Sequence, residues 1–282
     1  MGSLHSLNED PSSNAATAAD AQQAGTPLLS IVVPAKDEAE NLPVLAARIR
    51  QAIAGAVDYE LVIVDDHSTD ETAEVAAGLG ADHPIVLVVR RGVVPGKGYA
   101  LLDGFARSSG AIVCMIDADL QYPPEAIPAM VSLVRSRACD VVVANRSEHH
   151  TNALRRAFSR LSYRLIQALH KLDVDVQSGL KVFRRQVLDT MTVRPSGWAL
   201  DLDMLVSAHA AGYSILGHDI AFARREHGET KVRLFGTSWQ IMRNAVALKL
   251  AGARRTAARA AGSVAAIEPA GVDPEPSAGR AA

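Results

Sequence analysis

Short apolar runs alternate with longer amphipathic stretches through the first half of the chain. The runs are only a few residues long and apolar almost throughout, which is typical of buried strands. Between them, apolar residues recur every three or four positions, as in the stretch 38–54, and this spacing predicts helices. The predicted strands are LLSIVVPA (28–35), YELVIVDD (59–66), PIVLVVR (84–90), AIVCMI (111–116) and CDVVVANR (139–146).

The alternation predicts an α/β fold. Parallel strands are joined by crossover helices, so the order strand–helix–strand implies a mainly parallel, Rossmann-like sheet with helices on both faces. In such sheets a ligand lies beyond the carboxyl ends of the strands. We call that edge the rim, and we expect it to hold the segments that end or follow the strands at 34–38, 65–66, 117–119 and 145–146.

The second half of the chain has a different pattern. An amphipathic helix is predicted over 153–171, with apolar residues spaced by three and four. The segments 1–27 and 251–282 lack periodicity, and we predict that they are disordered. The other predicted elements are a short strand region SGLKVFRR (178–185), a helix over 198–211, a strand pair in YSILGHDIAFARRE (213–226) and a final helix over 237–250.

Paired carboxylates follow the fourth predicted strand. Asp117 and Asp119 are two residues apart, so in an extended chain they point to the same side. One interpretation is structural: the aspartates would cap a helix that starts at the prolines 123–124. A second acidic pair at 65–66 favours the other interpretation, because carboxylates at adjacent strand ends repel without a cation. Mg²⁺ or Mn²⁺ suits such oxygens and usually shares them with substrate phosphates, so we expect a metal-bound diphosphate.

The composition narrows the class of protein. Of the 282 residues, 48% are hydrophobic, and the net charge is −2. A nucleic-acid binder usually carries a strongly basic balance, so no nucleic-acid partner is expected. Cys114 and Cys139 are isolated and favour a reducing, cytoplasmic setting. No apolar run reaches the roughly 18 residues of a membrane span, and no secretory signal is visible, so we expect a cytoplasmic protein.

Seven motifs occur in the order of the family-two inverting glycosyltransferases. The chain resembles this family from about Leu28 to Val232, and most of all its dolichol- or polyprenol-phosphate mannose synthase branch. The resemblance implies a GT-A fold, a nucleotide-diphosphate sugar donor and a divalent metal. It makes 28–150 the nucleotide-sugar-binding half and 151–250 a smaller acceptor-side half. The motifs are SIVVPAKDEAENL, VIVDDHSTDET, GKGYALLDG, MIDADLQYPPE, VVVANR, SGLKVF and REHGETKV.

The resemblance also implies roles for individual residues. The donor-binding set is Pro34, Ala35, Glu38, Asp65, Asp66, Lys97, Asp117, Ala118 and Asp119. The metal-binding set is Asp117, Asp119 and Gln121, and the acceptor-binding set is Arg146, Arg155, Ser159 and Arg225. Asp119, Arg146 and Lys231 are the implied catalytic residues.

The chain departs from the family pattern at three places. PAKDE stands where the family often has P-T-Y-N-E, which leaves the base open between guanine and uracil. GHDI replaces E-V-P-I, and no transmembrane hairpins follow residue 232. The helix over 237–250 could instead lie in a membrane interface as a peripheral anchor, with Trp239, Met242, Val246 and Leu250 on its apolar side. A helix packed on the sheet is the alternative.

Three functions are compatible with these residues. We favour transfer of a hexose, above all mannose from GDP-mannose, to a polyprenyl or dolichyl phosphate, which is already ionised and needs no general base. A hydroxyl acceptor would instead require a carboxylate base, for which Asp201, Asp203 and Glu226 are candidates. The third possibility is a sugar-nucleotide-binding module without activity.

Overall fold

A computed structural model describes residues 28–146, 164–191, 200–223, 243, 245–247 and 249–250. The segments 1–27 and 251–282, predicted to be disordered, lie outside the described residues. The same holds for most of the predicted helix over 153–171 and for much of the one over 237–250.

Within the described residues, seven strands form one mixed sheet. The strands are β1 (Leu29–Ala35), β2 (Tyr59–Asp66), β3 (Ile85–Arg90), β4 (Ile112–Met115), β5 (Val141–Arg146), β6 (Lys181–Arg184) and β7 (Ile215–Ile220). Their order across the sheet is β3-β2-β1-β4-β6-β5-β7. All neighbouring pairs are parallel except those that involve β6, which runs against β4 and β5. The mainly parallel sheet that the sequence predicts is therefore confirmed.

Helices lie between most successive strands, as the alternation predicts. They are α1 (Asn41–Ile53), α2 (Thr72–Gly78), α3 (Lys97–Arg107), α4 (Ile127–Arg135), α5 (Arg185–Thr190) and α6 (Leu200–Ala210). Residues 164–170 are also helical. The strand pair predicted over 213–226 is wrong within the described residues, because β7 is a single strand. Beyond it, the Ala223 N–H donates to the Gln121 carbonyl at 3.0 Å instead of continuing the sheet.

Alternation along β1 divides the core between the two faces of the sheet. Ile31 and Val33 pack with Leu45 of α1 on one face. Val32 packs with Leu101 of α3 on the other face. These side chains are at most 1% exposed, so both faces are covered. Because helices pack on both sides, the edges at the strand ends remain as the places where a ligand can enter.

The direction of β6 decides which part of the second half reaches the rim. Lys181, its first residue, is paired with Met115 of β4 and with Val143 of β5. Since β6 is antiparallel, it begins at the edge where β4 and β5 end. The preceding segment 175–180 therefore lies beside the loop that follows β4. Hydrophobic periodicity does not reveal strand direction, so the sequence pattern could not place this segment.

Bilayer crossing needs a long apolar helix, and none of the helices in the described ranges meets that requirement.

Candidate active site

The loops that follow β1 and β2 are held together by hydrogen bonds. The Asp37 carboxylate accepts from the backbone and the hydroxyl of Thr69, at 2.8 and 3.1 Å. In return, the Asp37 N–H donates to the Ser68 hydroxyl at 2.9 Å, and the Glu38 N–H donates to the Thr72 hydroxyl at 2.9 Å. Of the residues predicted to bind the donor, Glu38 belongs to these hydrogen-bonded loops, and Pro34 and Ala35 end the strand β1 that leads into them.

Asp65 and Asp66 end β2 and are both buried. Asp65 accepts from the Ser68 N–H at 3.2 Å and from the Arg91 guanidinium at 2.7 Å. Asp66 forms an ion pair with Arg90 and accepts from the Gly96 N–H at 2.6 Å. Arg90 in turn donates to the Val94 carbonyl at 2.9 Å. Asp66 therefore holds the loop between β3 and α3, and with it the start of α3.

Lys97, the first residue of α3, reaches the loop after β4. Its ammonium lies 2.6 Å from Oδ1 of Asp117, and each side chain is about a quarter exposed. Burial by itself would lower the pKa of Lys97, but the carboxylates of Asp117 and Asp201 outweigh it and raise the pKa above its usual range. Lys97 is therefore a permanent cation at the rim.

The loop Asp117–Gln121 has a defined shape. Ala118 and Leu120 are buried, and Leu120 adopts a left-handed backbone conformation with φ 61°. The Gln121 N–H donates to the Asp119 carboxylate at 3.2 Å, and the Gln121 side-chain amide donates to the Ala223 carbonyl at 3.4 Å. Asp119 is thus held by the loop itself, whereas Asp117 is held by Lys97 of α3.

The donor set fits a shared metal rather than a closed metal cage. Among the described residues, no three Asp, Glu, His or Cys side chains come together as a metal-binding group. The loop after β4 offers the two carboxylates of Asp117 and Asp119, and Asp117 already holds the ammonium of Lys97. A Mg²⁺ or Mn²⁺ ion with one or two protein carboxylates takes its remaining oxygens from water and substrate phosphates. The residues therefore fit a metal that is completed by a diphosphate.

The segment before β6 packs directly against Asp117. A methyl group at Gly179 would lie 2.1 Å from Oδ2 of Asp117 and 2.8 Å from the Tyr122 ring. Lys181, two residues after Gly179, is fully buried, and its ammonium lies 2.5 Å from Oδ1 of Asp201 on α6. Burial lowers the pKa of Lys181, and Asp201 opposes that shift. A buried ion pair thus supports the rim from below.

Arg146 ends β5 and forms a bidentate ion pair with Asp175. Its Nε and terminal nitrogen lie 2.5 and 3.1 Å from the two carboxylate oxygens. The guanidinium also lies over the Phe222 ring, 5.4 Å from the ring centre. Burial would lower the pKa of Arg146, but Tyr122 and Asp175 outweigh it and raise the pKa above its ordinary value. Arg146 is a second permanent cation at the rim.

Comparison with known proteins identifies the family. Residues 30–192 match the protein-family model described as glycosyl transferase family 2. The chain belongs to glycosyl transferase family 2. Its fold is GT-A, as the sequence predicts, and solved structures support this: the chain aligns with glucosyl-3-phosphoglycerate synthase from Mycobacterium tuberculosis with a TM-score of 0.63 at 22% identity, over 79% of this chain and 80% of that one.

Curated relatives of this family 2 chain carry polyprenol-linked names. It is 32% identical over 213 residues to the dolichol-phosphate mannosyltransferase of Pyrococcus furiosus. This alignment covers 73% of this chain and 59% of the relative. It is 36% identical over 168 residues to an undecaprenyl-phosphate 4-deoxy-4-formamido-L-arabinose transferase of Yersinia enterocolitica, over 58% of this chain and 50% of the relative. The family 2 chain thus spans between half and three fifths of the length of these two relatives.

The structure brings part of the predicted site of this family 2 protein together. The binding roles of these residues stay predictions. Arg155, Ser159, Arg225 and Lys231 lie outside the described residues. The predicted residues found at the rim, in its strand ends, its loops or the start of α3, are Pro34, Ala35, Glu38, Asp65, Asp66, Lys97, Asp117, Ala118, Asp119, Gln121 and Arg146.

Several residues at the rim were not found from the sequence. Gly179 and Lys181 lie inside SGLKVF, a motif that contributed to the resemblance without suggesting a role, and Asp175 lies three residues before it. Tyr122 and Phe222 were given no role from the sequence, and only the structure shows that their rings pack together and that Phe222 lies beside Arg146. The buried Lys181 was the available signal, because a lysine in an apolar strand needs a carboxylate partner.

Proposed function

We propose that this chain transfers a sugar from a nucleotide-diphosphate sugar to a polyprenyl phosphate. The observation that carries the proposal is the placement of two permanent cations, Lys97 and Arg146, on either side of the loop Asp117–Gln121. Lys97 contacts Asp117 directly, and Arg146 is close enough for its charge to interact with that of Asp117. One cation thus suits the diphosphate of the donor, and the other suits the phosphate of the acceptor.

The names of the curated relatives support the acceptor class. The dolichol-phosphate and undecaprenyl-phosphate enzymes share a lipid phosphate in their names, whereas the sugars differ. Mannose from GDP-mannose remains our preferred donor because of the motif pattern. The glucosyl-3-phosphoglycerate synthase has been solved with Mn²⁺ and UDP-glucose, which supports a metal-dependent donor site in proteins of this fold.

Bond cleavage puts negative charge on the leaving diphosphate. A divalent metal held by Asp117 and Asp119 would supply positive charge for that group. Lys97 contributes a second positive charge from the start of α3, where the backbone N–H groups also favour an anion. Asp66 keeps α3 in position through the Gly96 N–H. The nucleoside would lie along the loops after β1 and β2, which hydrogen bonds hold together.

The acceptor phosphate needs orientation rather than deprotonation. A phosphate monoester is ionised near neutral pH, so its oxygen can attack the anomeric carbon without a general base. Asp175 engages the edge of the Arg146 guanidinium formed by Nε and one terminal nitrogen, so a phosphate oxygen pair would bind the other edge of this planar group. Attack from the side opposite the diphosphate would invert the configuration at the anomeric carbon. A hydroxyl acceptor would instead call on Asp201, whose Oδ1 is bound to Lys181 and whose surface is 9% exposed.

Product analysis tests this function. The chain is incubated with GDP-mannose, UDP-glucose and other nucleotide sugars, together with polyprenyl phosphates and soluble hydroxyl acceptors, and the products are read by mass spectrometry. We expect a lipid phosphate that gains one hexose, and no product in EDTA or with Asp119→Ala. Transfer to a hydroxyl acceptor, with none to a lipid phosphate, would contradict the acceptor assignment. Donor binding without any transfer would favour an inactive module.

A further inference from the structure

The segment that follows β7 is attached to the loop that follows β4. The Ala223 N–H donates to the Gln121 carbonyl at 3.0 Å, and the Gln121 side-chain amide donates back to the Ala223 carbonyl at 3.4 Å. This pair of hydrogen bonds fixes the backbone of Phe222 beside the loop that carries the two aspartates.

The ring of Phe222 makes two contacts of different kinds. Its centre lies 5.0 Å from that of the Tyr122 ring, at an interplanar angle of 69°, which is an edge-to-face arrangement. The guanidinium carbon of Arg146 lies 5.4 Å from the centre of the same ring. Phe222 therefore connects an aromatic residue of the β4 loop to the cation at the end of β5.

The Phe222 ring adds a second contact to Arg146. Its bidentate pair with Asp175 fixes the guanidinium plane along one edge. The π-face of an aromatic ring attracts a guanidinium and holds it against rotation out of that plane. Tyr122, which packs against the Phe222 ring, is buried, and burial raises the pKa of its hydroxyl. The charge of Arg146 lowers this pKa, and that of Asp117 raises it.

We propose that Phe222 is a positioning residue, which holds Arg146 in the orientation that receives the acceptor phosphate and ties that orientation to the loop of the two aspartates. This inference rests on the proposed function, since it takes Arg146 as the cation for the acceptor. Phe222 itself needs no contact with either substrate. Loss of the ring should weaken use of the acceptor while leaving donor binding intact.

The alternative is that Phe222 only fills space, because it also packs against the hydrophobic core cluster that contains Tyr122 and Ile220. The substitutions Phe222→Leu and Phe222→Tyr separate the two roles. Leucine keeps an apolar side chain but removes the π-face, and tyrosine keeps the ring. Leu216→Ala is the matched control, because Leu216 is 41% exposed and lies on β7, the strand that precedes Phe222.

Steady-state kinetics with a short-chain polyprenyl phosphate give the first measurement. We expect Phe222→Leu to raise the KM for the acceptor about tenfold, with kcat and the donor dissociation constant close to those of the wild type. Phe222→Tyr, which keeps the ring, and Leu216→Ala should both have the acceptor KM of the wild type. If Phe222→Leu and the wild type share the same acceptor KM, the positioning role is wrong.

A spectroscopic readout tests the contact without any substrate. The Nε–H signal of Arg146, assigned by its disappearance in Arg146→Lys, is compared between the variants in ¹H–¹⁵N spectra. We expect Phe222→Leu to shift this signal and Phe222→Tyr to leave it near its original position. An unchanged signal in Phe222→Leu would also overturn the proposal. Failure of the proposed function is distinct, since the wild type would then form no glycosylated lipid phosphate at all.

Discussion

The ammonium of Lys97 lies 2.6 Å from Oδ1 of Asp117, so a cation of the chain itself sits at one of the two carboxylates that we assign to the metal. If the proposed metal binds at Asp117 and Asp119, the metal ion and Lys97 would compete for Asp117 until a diphosphate arrives to bind both. We therefore expect the metal affinity in the absence of nucleotide to depend on Lys97, which is not a proposed metal ligand.

Replacement of Lys97 should separate metal binding from diphosphate binding. We expect Lys97→Met to bind Mn²⁺ more tightly in the absence of nucleotide, by about five- to tenfold, because the competing charge near Asp117 is gone. The same variant should bind a nucleotide diphosphate more weakly. Mn²⁺ titration followed by electron paramagnetic resonance measures the first effect, and calorimetry measures the second. Lys36→Met is the control, since Lys36 is exposed in the neighbouring β1–α1 loop. Weaker Mn²⁺ binding in Lys97→Met would contradict the competition.

A methyl group at Gly179 should disturb Asp117. Because the added carbon would lie 2.1 Å from Oδ2, the carboxylate must move, and the variant Gly179→Ala should lose at least about tenfold in kcat/KM. The same clash should lower the free energy of unfolding by about 1–3 kcal/mol. Gly78→Ala is the control, because nothing lies within 4 Å of the added carbon there. Normal activity in Gly179→Ala, measured beside urea unfolding, would show that Asp117 needs no fixed position.

Arg146 should act on the acceptor rather than on the donor. We expect Arg146→Ala to raise the KM for the lipid phosphate by about 30- to 100-fold, in line with the loss of a charge-assisted hydrogen bond worth roughly 2–3 kcal/mol. Arg146→Lys should recover only part of this loss, because an ammonium cannot form the bidentate contact. Arg164→Ala, at an exposed position, serves as the control. A large loss of donor affinity with unchanged acceptor kinetics would reverse the assignment.

Glu60 should contribute stability that depends on pH. Burial raises the pKa of Glu60, but hydrogen bonds from Ser30 and from Ser109 outweigh it and lower the pKa below its usual value. The folded state therefore favours the ionised carboxylate, so this stabilisation is present above a pH of about 4.5 and disappears as the pH falls through the lower folded pKa. We expect Glu60→Gln to lower the free energy of unfolding by about 1 kcal/mol at neutral pH and by much less at a pH of about 3.

Urea unfolding of the wild type and of Glu60→Gln at several pH values measures this difference. Glu71→Gln is the matched control, because Glu71 is exposed and lies after β2, immediately before α2. A difference between the wild type and Glu60→Gln that grows as the pH falls would contradict the assignment.

The helical residues near the end of the described chain combine both interpretations of the helix predicted over 237–250. Ala245 is buried, and its carbonyl lies 2.9 Å from Nε2 of His170, so one side packs against the protein. Val246 and Leu250 are 43% and 57% exposed, and basic residues lie beside them. The exposed side therefore has the chemistry of an interfacial helix.

Vesicle binding tests this exposed side. We expect the chain to bind vesicles that contain anionic lipid, with an affinity that falls as salt rises, because each basic residue near such a surface adds about 1 kcal/mol. The double variant Val246→Ser and Leu250→Ser should bind less. The control Val44→Ser, at an exposed position of α1, should bind as the wild type does. Absence of binding at low salt would remove the interfacial role.

The sequence by itself determined the strand positions, the acidic pairs at the rim and the family. Each of these depends on local information: period-two and apolar runs define strands, and motifs such as Asp117–Gln121 keep a fixed spacing along the chain. Two carboxylates at a strand end can be recognised from the sequence, because the apolar run and the carboxylates lie within a few residues of each other. For the same reason, the mainly parallel sheet followed from the order of strands and helices.

The tertiary structure alone decided which distant segments meet at that rim. Strand β6 runs antiparallel to β4 and β5, with Lys181 paired to Met115 and Val143. This direction brings Gly179 against Asp117, although about 60 residues separate them in the chain. Phe222 reaches Arg146 by leaving the sheet after β7. Strand direction and the course of a loop depend on hydrogen bonds between residues far apart in the chain, and periodicity carries no record of such partners.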